Sequence, residues 1–161
     1  MRRPWFTCQP ADEAFLDDAP MRLQGKFHIL SPAARVWDEL TAEKPLSWCR
    51  LLQDVTWTSE RPFGVGTTRT VTALGGANVL KERYFRWEEG RRHSFALVEA
   101  SAPMFSRLAE DYLVEPEGPG SCVFTWTIAA EPRPLARIAA PVNRLLLRTL
   151  FSDTRRHYGL E

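Results

Sequence analysis

The chain has 161 residues, 44% of them hydrophobic, which suits one domain with its own core rather than a small stapled scaffold. A formal net charge of +1 argues against a wholesale nucleic-acid binder, so no nucleic-acid partner is expected. The three cysteines, Cys8, Cys49 and Cys122, are odd in number and lack metal-ligand spacing, which argues against a disulfide framework or zinc site and for a reducing cytoplasm.

Residues 1–21 have no clear period. Two arginines are followed by the acids Asp12, Glu13, Asp17 and Asp18 with no apolar run between them, which fits neither a signal peptide nor a membrane span. The segment reads as an extension draped over the body, with Trp5, Phe6 and Phe15 as anchors. The domain proper is expected over residues 22–161. Leu23, Phe27 and Ile29 alternate with polar neighbours, the period of a strand. Ser31 and Pro32 supply a helix cap and first-turn proline for AARVWDEL. A second short helix is expected after Pro45, carrying Leu46, Trp48, Leu51 and Leu52.

From Val55 to Glu131 the period is two. Pro62, Gly64 and Gly66 separate the first two strand-like runs. EEGR then joins NVLKERYFRW to HSFALVEA, and EGPG joins SRLAEDYLVEP to SCVFTWTIAAEP. Five to six consecutive strands linked by tight turns predict an antiparallel sheet. The stretch from Pro134 to Tyr158 predicts a long helix, with Gly159 where it stops and Pro141 kinking or splitting it. Wound at about 100° per residue, it gathers Leu135, Ile138, Val142, Leu145, Leu146 and Leu150 on one arc. Arg137, Arg144, Arg148 and Arg155 fall near one line on the other side. The expectation is an α+β fold whose curled sheet takes the apolar arc against its concave face, leaving the arginines in water.

Four stretches carry a family likeness. They are Ser31-Pro32 with Val36-Trp37, Gly64-Val65-Gly66 before Arg69, Glu82 to Trp87 with Glu89-Gly90-Arg91-Arg92, and Glu115-Pro116-Glu117-Gly118 to Trp126. In that order, over residues 22–158, the chain resembles the START/Bet v 1-like (SRPBCC) superfamily in its polyketide cyclase/dehydratase-like branch. The resemblance implies the helix-grip fold, a curved antiparallel sheet around a long C-terminal helix with two short helices after the first strand. It also implies an apolar cavity for a lipid, polyketide or quinone-like molecule. It brings no universal catalytic set.

Pairing about EGPG puts Glu110, Tyr112 and Val114 on the face shared by Cys122, Phe124 and Trp126, which holds the bulkiest apolar side chains and is taken as inward. Inside an apolar cavity Glu110 becomes an acid or ligand anchor; at a strand end in water it is neither. Tyr112, Phe124 and Trp126 either meet a ligand or simply fill the core. Glu82 and Tyr84 share one face while Arg83, Phe85 and Trp87 share the other, and only the resemblance turns Glu82 and Tyr84 inward. Arg69 pairs with a glutamate, meets a ligand carboxylate, or stands exposed on its strand. His28 and His93 have no identifiable partner, so a structural or surface role is read for both. The expected ligand-binding set is therefore Arg69, Glu82, Tyr84, Glu110, Tyr112, Phe124 and Trp126, with Glu110 and Glu82 as the catalytic candidates. No nucleophile elbow, phosphate loop, dinucleotide fingerprint or His-Glu-x-x-His occurs, so no metal, cofactor or covalent intermediate is expected.

Three functions compete. The first is binding or carrying a hydrophobic small molecule. The second is cyclase or dehydratase chemistry by acid-base residues in the same cavity. The third is a membrane-surface or protein-interaction module using the arginine face of the last helix, where Leu147 and Phe151 fall close by.

Overall fold

The computed structural model describes residues 1–161. Its strands are β1 (Phe6–Thr7), β2 (Met21–Ile29), β3 (Leu52–Trp57), β4 (Thr68–Ala73), β5 (Asn78–Glu88), β6 (Arg92–Ala100), β7 (Phe105–Gly118) and β8 (Ser121–Pro132). They form one sheet in the order β2-β8-β7-β6-β5-β4-β3, with every neighbour antiparallel. Strand β7 pairs with β6 only over Arg92–Ala96, and β1 takes the vacant length of β6 at Glu99 and Ala100. The consecutive hairpins follow from the tight turns, and β2 closes onto β8 because its alternation hides Leu23, Phe27 and Ile29 on the concave face. This is the helix-grip fold.

The segment before residue 22 is packed onto the sheet. Asp12 caps α1 (Glu13–Asp18) by accepting from the Phe15 N–H at 3.1 Å. Phe15 and Leu16 are buried on the convex face, where Ala109 and Ala129 leave room for them. Trp5 lies with its ring 4.0 Å from the Lys81 ammonium.

After β2, α2 (Ala33–Leu40) buries Val36, Trp37 and Leu40. The stretch after Pro45 winds in turns, with the Cys49 N–H on the Leu46 carbonyl and the Leu52 N–H on the Cys49 carbonyl, both at 3.0 Å. It stops short of a regular helix, and Leu46 itself takes φ 59°.

The C-terminal half of β5 departs from simple alternation. A bulge between Tyr84 and Arg86 inserts one residue, so Trp87 turns inward beside Tyr84, Trp37 and His93 instead of sharing the face of Arg83 and Phe85. Period-two reasoning has no means of registering that insertion.

The C-terminal helix corrects the sequence expectation most. A 3-10 turn (Pro134–Ala139) runs into α3 (Ala140–His157), with Pro141 in the first turn of α3, where its missing N–H costs nothing. The far end closes as a Schellman motif: the Leu160 N–H reaches the Arg155 carbonyl at 2.8 Å, the Gly159 N–H reaches Arg156 at 3.2 Å, and Gly159 has φ 68°. The helix is rotated from the expected orientation. Leu150 is buried as expected, together with Asn143, Phe151, Asp153 and Thr154, while Leu135, Ile138, Val142 and Leu145 face solvent. Polar anchors set this rotation. The Asp153 carboxylate accepts from the Arg50 backbone N–H at 2.9 Å and from Arg50 Nε at 3.1 Å, and Thr154 Oγ1 accepts from Trp48 Nε1 at 3.0 Å. Phe151 crosses β2 at Gly25, where an added Cβ would lie 3.1 Å from Phe151 Cγ and 2.8 Å from the Phe27 ring. Counting apolar residues treats Asp153 and Thr154 as outward, but partners waiting on the body make them inward.

Candidate functional site

The concave face, the first turns of α3 and the turns at residues 46–52 and 74 enclose a cavity. It holds about 720 Å³ of space free of atoms, its open mouth included, and 15 of its 20 lining residues are hydrophobic. Its walls differ in depth. Leu51, Leu52, Leu74, Met104, Leu146 and Leu147 are half-buried and form the shallow end, while Arg69, Glu82, Glu110, Tyr112 and Trp126 are buried at the sheet.

Register brings the polar groups together. Arg69 on β4 stands directly opposite Glu82 on β5, so both side chains leave the sheet on the same face. Arg69 Nε donates to Glu82 Oε2 at 2.6 Å, with the two side chains 2% and 4% exposed. The guanidinium carbon lies 4.2 Å from the Phe95 ring centroid and within cation-π range of Tyr84 and Trp57. Its Nη1 is buried with no hydrogen-bond partner. Across β6, on the pair β7 and β8, Tyr112 is opposite Trp126, and both reach Glu110 two residues along β7. Trp126 Nε1 donates to Glu110 Oε2 at 2.8 Å, and the Tyr112 hydroxyl donates to the same oxygen at 3.3 Å.

The electrostatics follow from burial. Desolvation is the largest influence on Arg69 and works against its charge, but Glu82, Tyr84 and Tyr112 together outweigh it and hold the guanidinium above its usual value. Burial likewise pushes the Glu82 carboxyl up, with Arg69 pulling the other way. Glu110 is raised to about 7, first by burial and then by the nearby Glu82 charge, against the pull of Arg69, Trp126 and Tyr112. One cation thus faces two carboxyls in an apolar enclosure. The arrangement nearest neutrality has Arg69 and Glu82 ionised and Glu110 protonated.

Of the residues singled out from the sequence, Arg69, Glu82, Glu110, Tyr112 and Trp126 line this cavity. Tyr84 and Phe124 are fully buried on the same side but pack within the core behind it. Arg69 resolves to the glutamate-pairing alternative, and Glu110 to the interior one. His28 is exposed, 3.2 Å from Glu117. His93 sits among the rings of Trp37, Tyr84, Trp87 and Tyr112, and burial pushes it down to about 3, so it is neutral there. Sequence reasoning missed Asn143 on α3, whose Nδ2 is buried without a partner, and it missed Leu147, which the helical wheel placed toward the arginines. The available signal for Asn143 was its isolation: it is the one polar uncharged residue between Pro141 and Arg148.

Comparison with known proteins decides the family. Residues 20–159 match the family described as polyketide cyclase / dehydrase and lipid transport. The chain belongs to this family. An uncharacterised protein of Mycobacterium tuberculosis is 31% identical over 157 residues, covering 94% of this chain and 93% of its own. Among solved structures, the Zhui aromatase/cyclase from a Streptomyces species superposes with a TM-score of 0.61 at 16% identity, covering 84% of this chain and 94% of its own. A START superfamily protein from Mycobacterium smegmatis gives 0.60 at 12% identity, covering 84% and 97%. A major latex-like protein of Panax ginseng gives 0.58 at 18% identity, covering 86% and 97%. At such identities these likenesses speak for the shared helix-grip fold alone. Membership of the polyketide cyclase/dehydrase and lipid transport family, together with the fold, marks a protein of the hydrophobic-ligand-binding or polyketide cyclase-like kind. No helix is long and apolar enough to cross a membrane.

Proposed function

We propose that the chain binds and carries a neutral hydrophobic small molecule in this cavity, with a hydrogen-bond acceptor such as a carbonyl at the molecule's buried end. The observation that carries the reading is an apolar enclosure whose only charged groups are gathered in one place. Burying an apolar ligand contributes about 25 cal/mol per Å² removed from water, enough for tight binding without any catalytic step. The polar end favours a neutral acceptor over a carboxylate. Arg69 is already neutralised by Glu82 at 2.6 Å, so a ligand anion would add an uncompensated buried charge beside it. A protonated Glu110 and the amide of Asn143 are donors awaiting an acceptor. All three cysteines are free and buried, and the proposal sets the protein in a reducing cytoplasm.

The test is native mass spectrometry of protein purified from its own host, together with uptake of a neutral polarity-sensitive dye. A co-purified neutral molecule is expected, as is dye uptake that Leu147→Trp blocks by filling the cavity. No adduct and no uptake, or uptake indifferent to Leu147→Trp, would sink the reading.

A second reading, cyclisation or dehydration of a polyketide-like substrate, is favoured by one observation, the carboxyl of Glu110 poised at about 7. In it Glu110 exchanges a proton with the substrate while Arg69 holds a carbonyl oxygen. Glu110→Gln would then leave substrate binding near normal and lower turnover about 10²–10⁴-fold. For a carrier, the same variant binds as well as the parent.

A further inference from the structure

The rotation of α3 leaves an apolar ridge in solvent. Leu135, Ile138, Val142 and Leu145 are 98%, 95%, 59% and 66% exposed, and their spacing aligns them along one side of the C-terminal helix. Large apolar side chains standing in such a row, unlike scattered ones, mark a surface made to be covered. On α3, wound at about 100° per residue, Val142 with Leu145, Arg144 with Arg148, and the buried face lie roughly 120° apart, and Leu135 and Ile138 stand above one another on the 3-10 turn that leads into it. The helix therefore has three faces rather than two.

The charge around the ridge has one sign. Residues 132–152 contain four arginines and no acid. The acids that flank this stretch are engaged elsewhere: Glu131 is paired with Arg107 at 2.6 Å, and Asp153 is held by Arg50 and Arg156. The ridge also runs on to the cavity, because Val142 and Leu145 are followed on α3 by Leu146 and Leu147, which line the shallow end.

We infer that this helix docks on an anionic lipid bilayer, seating the ridge among the acyl chains and the arginines among the headgroup phosphates. A helix lying in the interface needs an apolar face, a basic flank and long side chains able to reach the headgroups. All three are present on 134–148. A second copy of the chain fits the ridge less well, since a symmetric contact through α3 brings the uncompensated arginines of both copies together. Docking would place the shallow end of the cavity at the bilayer surface, where a hydrophobic molecule can pass without crossing water. The docking itself does not depend on what fills the cavity.

The test uses the purified full chain and sedimentation with vesicles of phosphatidylcholine alone, or of phosphatidylcholine and phosphatidylglycerol in equal parts. Binding to the anionic vesicles is expected at low salt. It should be much weaker near 1 M salt, where the screening length falls to about 3 Å. The double variant Arg144→Glu/Arg148→Glu should lower partitioning by at least about fivefold per arginine. The variant Ile138→Asp/Leu145→Asp should abolish it with the circular dichroism spectrum unchanged, since both side chains are exposed. Failure to bind anionic vesicles at low salt would overturn the proposal, as would binding indifferent to the ridge variant. So would a concentration-dependent dimer in sedimentation equilibrium that the ridge variant dissociates, because the ridge would then belong to a second copy.

Discussion

At the floor of the cavity three ionisable side chains are buried, while along the 3-10 turn at 134–139 and the first turns of α3 four large apolar ones stand in water. The two regions depart from ordinary burial in opposite directions, and each departure has its own compensation. Arg69, Glu82 and Glu110 are tolerated because strand register sets the first two face to face and because Trp126 and Tyr112 donate to the third. The ridge has no partner within the chain. Its rotation is fixed from the other half of the helix, by Asp153, Thr154 and Phe151. The lesson is that a helix with three faces is oriented by its best-partnered side chains, and its greasiest side is left over.

Breaking the floor should cost the most. Replacing Arg69 with Met while keeping Glu82 strands a carboxylate in an apolar site and should lower stability by about 3–5 kcal/mol. Adding Glu82→Leu to that variant should recover much of the loss, because no charge is then left unpaired. Urea denaturation of both variants measures this, and a single variant within about 1 kcal/mol of the parent would mean the pair is not desolvated as described.

The two halves of α3 can be set directly against each other. Leu150→Ala should cost about 2–5 kcal/mol, as core truncations do, whereas Leu145→Ala should cost no more than about 0.5 kcal/mol. The reverse order in urea midpoints would restore the orientation expected from the apolar arc. At the helix crossing, Gly25→Ala should cost about 1–3 kcal/mol by crowding Phe27 and Phe151.

The floor also predicts a pH dependence. In the unfolded chain Glu110 ionises near its ordinary 4.5, and in the folded chain near 7. Between those values the folded state holds the extra proton, so this group's contribution to stability falls as pH rises through the window. The loss is complete above about pH 7 and on the order of 3 kcal/mol. Measuring urea stability at both ends of the window, for the parent and for Glu110→Gln, isolates it. The variant should lack this part of the slope, and equal slopes would mean that Glu110 is not held protonated.

Arg144→Ala should likewise have only a small effect on stability, well under about 1 kcal/mol. Its consequence belongs to vesicle binding rather than to folding.

Much of this molecule was legible in its residues. Period-two runs and the turns EEGR and EGPG determine consecutive antiparallel hairpins, because a strand's side chains alternate and only a few turn sequences reverse it. Alternation about EGPG also put Glu110, Tyr112, Phe124 and Trp126 on one face, as the register of β7 and β8 has them. Pro134, Pro141 and Gly159 marked where the last helix starts, changes and stops, since each acts through its own backbone. What local chemistry could not decide was left to tertiary contacts. The inward turn of Trp87 depends on a bulge, the pairing of Arg69 with Glu82 on which strands become neighbours, and the elevation of Glu110 on the enclosure around it. The rotation of α3 depends on Arg50 and Trp48, about a hundred residues away, receiving Asp153 and Thr154. A residue's own neighbours in the chain fix its period and its caps; which face is buried is settled by groups that only folding brings within reach.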